Sequence, residues 1–451
     1  MARNKFDVDE KLETPFQWKH LKRAGKYIAK HKSYARKFAK PLVDAYENKY
    51  EIFRQPKKMD GKPDNRIAVN YAKYITDTFN GFFCGIPVKV DTEDETVEQY
   101  IDYLNKTNDG DNLNAEVSKL ADICGSSWEM YYNKEDGETG ITYLSDTEAF
   151  MFVDDSILER PMYFVRYYKD SNGVERGSYS DSKTVRWFWY EGGSWHFEAD
   201  EKIHGFGYVP AVEYLSNDER MGLFESALPA INAYNKALSE KANDVDYFAD
   251  AYLKVLGASV DDDDTFHIRR TRIVNFDGDS DGNFPVVEFM SKPSSDETQE
   301  HLLERLQKDI FITSMVANIS DENFGSSSGI ALRYKLEAMQ NLFTAKARRF
   351  TSSMMDRYKI IFSSPIAQMH GVPRDAWVNI DIKFTANYPA NLESEATVAK
   401  NLEGIVSKET QLKVLSVVDN VKDEVERLEA EQLPSVIDNM YGNNTEAMAT
   451  E

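Results

Sequence analysis

Between Ile330 and Ser364 the chain runs without glycine or proline, and Leu332, Leu336, Met339, Phe343, Ala347, Phe350, Met354 and Ile361 keep returning to one side. Spacings of three and four residues put these side chains on one face of a helix, about 50 Å long at a rise of 1.5 Å per residue. Two shorter stripes precede it. Phe224, Leu228, Ile231, Tyr234 or Asn235, Leu238, Ala242, Val245 and Phe248 predict a helix of roughly 40 Å between Gly222 and Tyr252, with its regular start near Ser226, ahead of Pro229. Leu302, Leu303, Leu306, Ile310 and Met315 predict another from Ser295 to Ala317. The residues between these two helices read as strands at Phe266–Phe276 and Phe284–Met290.

Upstream the period changes. Short aromatic and β-branched runs at Trp128–Tyr132, Ile141–Leu144, Met162–Tyr168, Val185–Tyr190 and Trp195–Glu198, parted by Gly, Asn and Asp, predict an antiparallel meander or sandwich. Residues 17 to 52 read as helix, and 60 to 65 as a turn cluster. Ile67, Tyr71, Tyr74, Ile75 and Thr78 then fall at helical spacing until Gly85, after which Ile86, Pro87 and Val88 turn extended. A strand at Trp377–Phe384 and an acidic helical tail from Leu392 to Glu431 complete an α+β pattern. Trp187, Trp189 and Trp195 offer a stacking platform for sugars or bases, but aromatics in strands more often fill the space between sheet and helices, and that reading is preferred.

The chain has 451 residues, 41% of them hydrophobic, enough to bury a large core in two to four domains. No apolar run approaches the roughly 20 residues of a membrane span, and the first ten residues hold no apolar signal core. The expectation is a soluble chain without a membrane partner. Cys84 and Cys124 lie in apolar or small-residue settings, as buried free thiols do. The net charge of −22 is unevenly spread: residues 1–40 hold 12 Lys/Arg against 4 Asp/Glu, and residues 391–451 hold 5 against 13. A chain this acidic is a poor nonspecific DNA binder, because phosphate affinity comes from cations displacing counterions. The basic N-terminal run, Lys19 to Lys40, reads as a solvated helix face rather than a nucleic-acid or membrane-surface helix.

Candidate chemistry is sparse. There is no phosphate-binding Gly-x-x-x-x-Gly-Lys loop, no His-Glu-x-x-His and no Gly-x-Ser-x-Gly after a strand, so no catalytic residue, cofactor or metal site is assigned. Asp277, Asp279, Asp281, Gly282 and Glu288 match the oxygen-ligand template of a calcium loop, but strand-like flanks and Pro285 favour an acidic hairpin turn. The informative feature is the run Ser320, Asp321, Glu322, Asn323, Phe324, Gly325, Ser326, Ser327, Ser328, Gly329. It is polar, permissive of positive φ, free of Lys and Arg, and joined without a break to the longest helix.

Four pieces in order carry a resemblance: Lys62 to Asp77 with Gly85 to Pro87; Asn217 to Arg220 running into Leu228 to Tyr252; Ile319 to Lys335; and Val406 to Glu431. Together they resemble portal proteins of tailed double-stranded-DNA bacteriophages, specifically the siphovirus-type branch infecting Gram-positive bacteria. The resemblance implies a subunit with residues 1–217 as a mixed α/β wing and 218–252 and 295–318 as stem helices. Residues 253–294 would be the clip, 319–329 the tunnel loop, 330–389 the long wing helix and strand, and 390–451 the crown and tail. It further implies a ring, normally of twelve chains, at one capsid vertex of the virion, put together in host cytoplasm. Double-stranded DNA would pass through without sequence specificity, and the partners would be the terminase large subunit, a head–tail adaptor, scaffold and major capsid protein. Ser320 to Gly329 would line the channel, and Asp261, Asp262, Asp263, Asp264, His267, Arg269, Arg270, Asp277, Asp279 and Asp281 would lie on the docking clip. The rival from another class is an aromatic-rich β protein that binds or hydrolyses carbohydrate.

Overall fold

The computed structural model describes residues 6–7, 21–59, 62–154, 156–249, 253–256, 286–289, 296–319, 329–388, 392–415, 417–418, 421 and 424–430. In chain order the strands are β1 (Phe6–Asp7), β2 (Lys89–Asp91), β3 (Ser126–Asn133), β4 (Thr139–Ser145), β5 (Ala149–Val153), β6 (Pro161–Lys169), β7 (Glu175–Ser180), β8 (Thr184–Glu191), β9 (Ser194–Phe197), β10 (Lys202–Ile203), β11 (Ala211–Leu215), β12 (Leu253–Leu256), β13 (Val286–Phe289) and β14 (Asp381–Lys383). The helices are α1 (Leu21–Lys37), α2 (Ala39–Tyr46), α3 (Tyr71–Cys84), α4 (Glu95–Asn108), α5 (Gly110–Cys124), α6 (Leu228–Ala249), α7 (Asp296–Ser314), α8 (Gly329–Phe362), α9 (Pro365–Met369), α10 (Leu392–Asn401) and α11 (Lys408–Leu412). The chain divides into two units, residues 1–317 with 338–386, and residues 318–337 with 387–451.

The first unit is layered, and period-two alternation sets the layers. Strands β5 to β8 form an antiparallel meander, with β1 parallel to β5 on one side and both β9 and β10 on the edge of β8. One face of this sheet presents Phe150, Phe152, Tyr163, Val165, Tyr167, Tyr179 and Phe188 to Ile28 and Tyr27 of α1. The opposite face presents Ala149, Met151 and Phe164 to Trp128 and Met130 of β3, the middle strand of the small sheet β11-β3-β4. Since β3 alternates too, Ser127, Glu129 and Tyr131 point the other way, where Ser127 Oγ donates to Val117 O of α5 at 2.8 Å. The order is therefore α1, large sheet, small sheet, then α5 with α8.

Close approach explains two glycines. Gly125 leaves α5 at φ +89°, and a Cβ there would stand 2.3 Å from the carbonyl of Arg220, so only glycine lets β3 begin at once. Gly25 lets Trp195 of β9 lie against α1, where a Cβ would meet the indole at 2.5 Å.

Several expectations change. The helix read over 17–52 is α1, α2 and a 3-10 turn at Glu51–Arg54 within the described residues, interrupted at Phe38 and again at Asn48, whose φ is +62°. Ile67 is extended rather than helical, and α3 starts at Tyr71 behind Asn70, whose side chain accepts from Lys73 N–H at 3.1 Å. The stretch 377–384 is a 3-10 turn followed by the short β14, which pairs with β2. The acidic tail is broken after α10, with Gly404 at φ +75° and Ser407 capping α11. Of the three tryptophans only Trp195 joins the core beneath α1. Trp187 and Trp189 lie half-buried on the opposite face, covered by the Arg166 guanidinium and by the stacked His196 ring. Both cysteines are free, Cys124 buried and Cys84 half-buried.

Two buried titratable groups, His31 and Asp146, act in opposite senses. His31 is wholly buried with Nδ1 2.7 Å from Tyr167 Oη, and burial lowers its pKa to about 3. Asp146, wholly buried with Trp128 Nε1 donating at 3.2 Å, is raised to about 7, first by burial and then by the charge of Glu213. A carboxyl whose folded pKa exceeds its unfolded one favours folding while protonated. Its contribution is lost as pH climbs from about 4 through about 7, whereas neutral His31 gains over much of the same range. The two partly cancel in the wild type, so the informative comparison is with Asp146→Asn. Melting temperatures of the variant minus wild type should rise steadily from pH 4 to 7 and level off above; a flat difference would mean Asp146 is ionised throughout.

Candidate functional site

Residues Ser320 to Ser328 of the proposed channel loop lie outside the described residues, and Gly329 is the first residue of α8. Asp261, Asp262, Asp263, Asp264, His267, Arg269, Arg270, Asp277, Asp279 and Asp281 also lie outside them. What is described is the set of roots from which both elements spring. Strands β12 and β13 pair antiparallel, Leu253 opposite Phe289 through Leu256 opposite Val286, and so bring the two ends of the segment between them side by side. Glu288, the twelfth position of the calcium-loop pattern, sits in this strand opposite Lys254, where an EF-hand requires a helix. Among the described residues no group of three or more His, Cys, Asp or Glu side chains is arranged to hold a metal ion, and no helix is long and apolar enough to cross a membrane.

Helices α6 and α7 flank this strand pair and run antiparallel. Lys241 pairs with Glu300, and Gln299 donates to Asp244 at 2.9 Å. Further along, the Tyr71 ring meets Tyr234 at 5.2 Å and Phe311 at 5.7 Å, both edge-on. The residues ahead of α3 lie extended along α6 and are held by polar side chains. Asn243 Oδ1 accepts Asn65 N–H at 2.6 Å, Ser239 Oγ accepts Ile67 N–H at 2.9 Å, and Asn235 Oδ1 accepts Val69 N–H at 2.9 Å.

The long helix α8 is anchored by two buried cations. Lys346 Nζ, 1% exposed, lies 2.7 Å from Asp122 Oδ2 and 2.7 Å from Ser118 Oγ of α5, and faces the rings of Phe83 and Phe350 at 4.5 and 5.0 Å. Three turns on, Arg357 grips both oxygens of Glu129 in β3, at 2.9 and 2.8 Å, and donates to Asn114 Oδ1 at 2.7 Å. Tyr131 and Tyr214 hydroxyls complete the Glu129 shell at 2.8 and 3.0 Å. Burial works against the Arg357 charge, but Glu129 and the surrounding tyrosines more than offset it and hold the guanidinium well above its ordinary range. Burial pushes Asp122 up, although Lys346 pulls it back. Arg349, on the exposed side, pairs with Asp218.

The helix itself was legible from its apolar stripe, but the acidic neighbours of Lys346 and Arg357 were not. Three of their partners, Asn114, Ser118 and Asp122, sit on α5, which the reading of the sequence passed over together with α4. A signal was present. Asp94 caps α4 through Thr96 and Val97 N–H, and Val97, Tyr100, Ile101 and Leu104, all buried, follow at helical spacing.

A layered sheet-and-helix body, two antiparallel helices on either side of a strand pair, and one long helix after them fit the plan of a portal-type subunit. The family described as phage portal protein, SPP1 Gp6-like, matches residues 25–433, and this chain belongs to it. The portal protein of Clostridium phage phiCD119 is 26% identical over 440 residues, covering 89% of this chain and 94% of that one. The portal protein of Bacillus phage SPP1 is 20% identical over 407 residues, covering 85% and 79%. Both relatives come from phages of Gram-positive hosts, the branch expected from the four sequence pieces. A chain in the neck of an empty GTA particle, solved with C6 symmetry, is 11% identical with a TM-score of 0.45, covering 83% of this chain and 98% of its own length. Carbohydrate chemistry finds no support in this family or these relatives.

Removing one partner of a buried pair strands the other charge, at a cost of about 3–5 kcal/mol, whereas replacing both by apolar groups is often nearly neutral. Lys346→Met should therefore destabilise the first unit by about that amount, and Lys346→Met with Asp122→Leu should recover most of the loss in denaturant unfolding. Equal losses in the two variants would show that packing, not charge, holds this site.

Proposed function

We propose that this chain forms a ring-shaped channel at one vertex of a phage capsid, through which double-stranded DNA is packaged, retained and later ejected. The observation that carries the reading is the family match over residues 25–433, which runs from within α1 to the acidic tail. In this reading α6 and α7 are stem helices, the hairpin based on β12 and β13 is the clip that meets the terminase large subunit and then a head–tail adaptor, and Ser320 to Gly329 is the tunnel loop. Scaffold and major capsid protein are the partners at the vertex. A loop without Lys or Arg suits a passage that touches DNA without gripping it, since phosphate affinity scales with the cations presented. The family is structural rather than enzymatic, and ATP hydrolysis belongs in this reading to the terminase.

A heterologous interface between identical chains closes into a ring when its rotation divides a full turn. Twelve chains of 51.7 kDa give about 620 kDa, and mass photometry of the purified protein should find a species there or one subunit to either side. A monomer or dimer at every concentration, with and without scaffold, would overturn the ring. Deleting Asp321 to Ser328 is expected to leave ring mass and melting temperature unchanged while reducing packaged DNA per particle. Loss of the ring in that deletion would make the loop an assembly element.

A further inference from the structure

We propose that Asn235, Ser239 and Asn243 are positioning residues of the channel: a three-rung ladder of side chains that fixes the axial register of α6 against the extended strap at residues 62–70. The proposal deepens the portal reading and rests on it for its functional half.

The three residues stand four apart on α6, and each takes one amide from alternate residues of the strap: Val69 N–H to Asn235 Oδ1 at 2.9 Å, Ile67 N–H to Ser239 Oγ at 2.9 Å and Asn65 N–H to Asn243 Oδ1 at 2.6 Å. Two repeats match here. Four helical residues rise about 6.0 Å, and two extended residues span about 6.6 Å, so successive rungs stay in phase over three steps. The helix thus serves the strap as a neighbouring strand would. The Ser239 hydroxyl has one proton to give, and it stands 2.7 Å from Asn235 O of its own helix and 3.1 Å from Ile67 O of the strap. All three side chains are nearly closed to water, at 0%, 1% and 5% exposure. Arg66 and Ala68, between the rungs, have no acceptor for their amides among the described residues; the Arg66 guanidinium turns instead to Asp64 and to Phe53 O.

Such a ladder has one register. Sliding the strap one helical turn toward the start of α6 sets the Val69 amide against Ile231, which is wholly buried and has no side-chain acceptor. Sliding it the other way abandons Asn235. Either slip buries an unsatisfied polar group, at about 1–3 kcal/mol. The rungs also lie across the helix axis, so a displacement of α6 along that axis strains all three together. The strap leads through the Asn70 cap straight into α3, and α6 leads toward β12. Load applied at the hairpin along the channel axis therefore reaches the wing across these hydrogen bonds.

The test is hydrogen exchange on the assembled protein, read by mass spectrometry with residue-level fragmentation, together with packaging in a phage complementation assay. The expected pattern is alternation, with amides 65, 67 and 69 slow and amides 66 and 68 fast. Ser239→Ala should speed exchange at Ile67 by about tenfold, while Ser239→Thr, which keeps the hydroxyl, retains protection. Uniform exchange from 65 to 69 in the wild type overturns the ladder whatever the protein does. Asn235→Ala with Ser239→Ala should preserve ring mass yet reduce packaged DNA per particle. Unchanged packaging overturns the positioning role while leaving the ladder standing. Faster exchange throughout α3 and α6 with loss of the ring also overturns it, since the residues would then serve general folding. Normal exchange and ring formation in a protein that plays no part in packaging would mark failure of the portal reading instead.

Discussion

Arg357 and Lys346 stand three turns apart on one helix, each 1–2% exposed and each facing a carboxylate that is wholly buried. Neither charge is tolerable alone in that setting, so α8 can settle only where Glu129 and Asp122 both meet it. Glu129 is carried by β3, and Asp122 and Asn114 by α5. Tyr214 of β11 also donates to Glu129. The correct seating of one long helix thus requires the small sheet and α5 to be formed first or together. Apolar replacements of similar volume would seat the helix about as firmly, but hydrophobic contact is non-directional and permits small slides along the axis. Paired charges with fixed donors do not.

The same logic recurs at α6 with neutral groups. A stripe of Phe224, Leu228 and Ile231 gives way along the helix to Asn235, Ser239 and Asn243, and it is the polar half that meets the strap at 65–69. Both long elements that lead to the proposed functional segments are therefore held by directional bonds, α8 behind the loop and α6 beneath the hairpin. The apolar layers around α1 and the large sheet supply bulk burial; the polar contacts supply register.

This division also explains which parts of the molecule were legible in its sequence. Helix α8 was, because an unbroken stripe over more than thirty residues admits no other period. Strands β3, β4, β6, β8 and β9 were, from short aromatic and β-branched runs parted by turn residues. Ile67 was misread because positions 67, 71, 74 and 75 fit a helical face equally well. What decides against helix there is a set of acceptors about 170 residues away, which no local pattern contains. The pairing of Trp187 and Trp189 with the outer sheet face was hidden likewise, since alternation states that neighbours part but not which side is covered. Asp122 and Glu129, the partners of the buried cations, looked like any of the 76 acidic residues.

Net charge takes on a different meaning against this background. A count of −22 suggests a surface of like charges, yet Lys346 and Arg357 have been taken out of it, and the acids that hold them are equally withdrawn. The electrostatics of these two buried pairs is local, strong and neutral overall, because paired ions in a low-dielectric site interact far more strongly than in water. The exterior keeps its excess of acid, screened over about 10 Å by physiological salt. Two of the 54 Lys and Arg are spent in this way, each with an acid, so the exterior's excess of negative charge is left as it was and gives a polyanion little to bind.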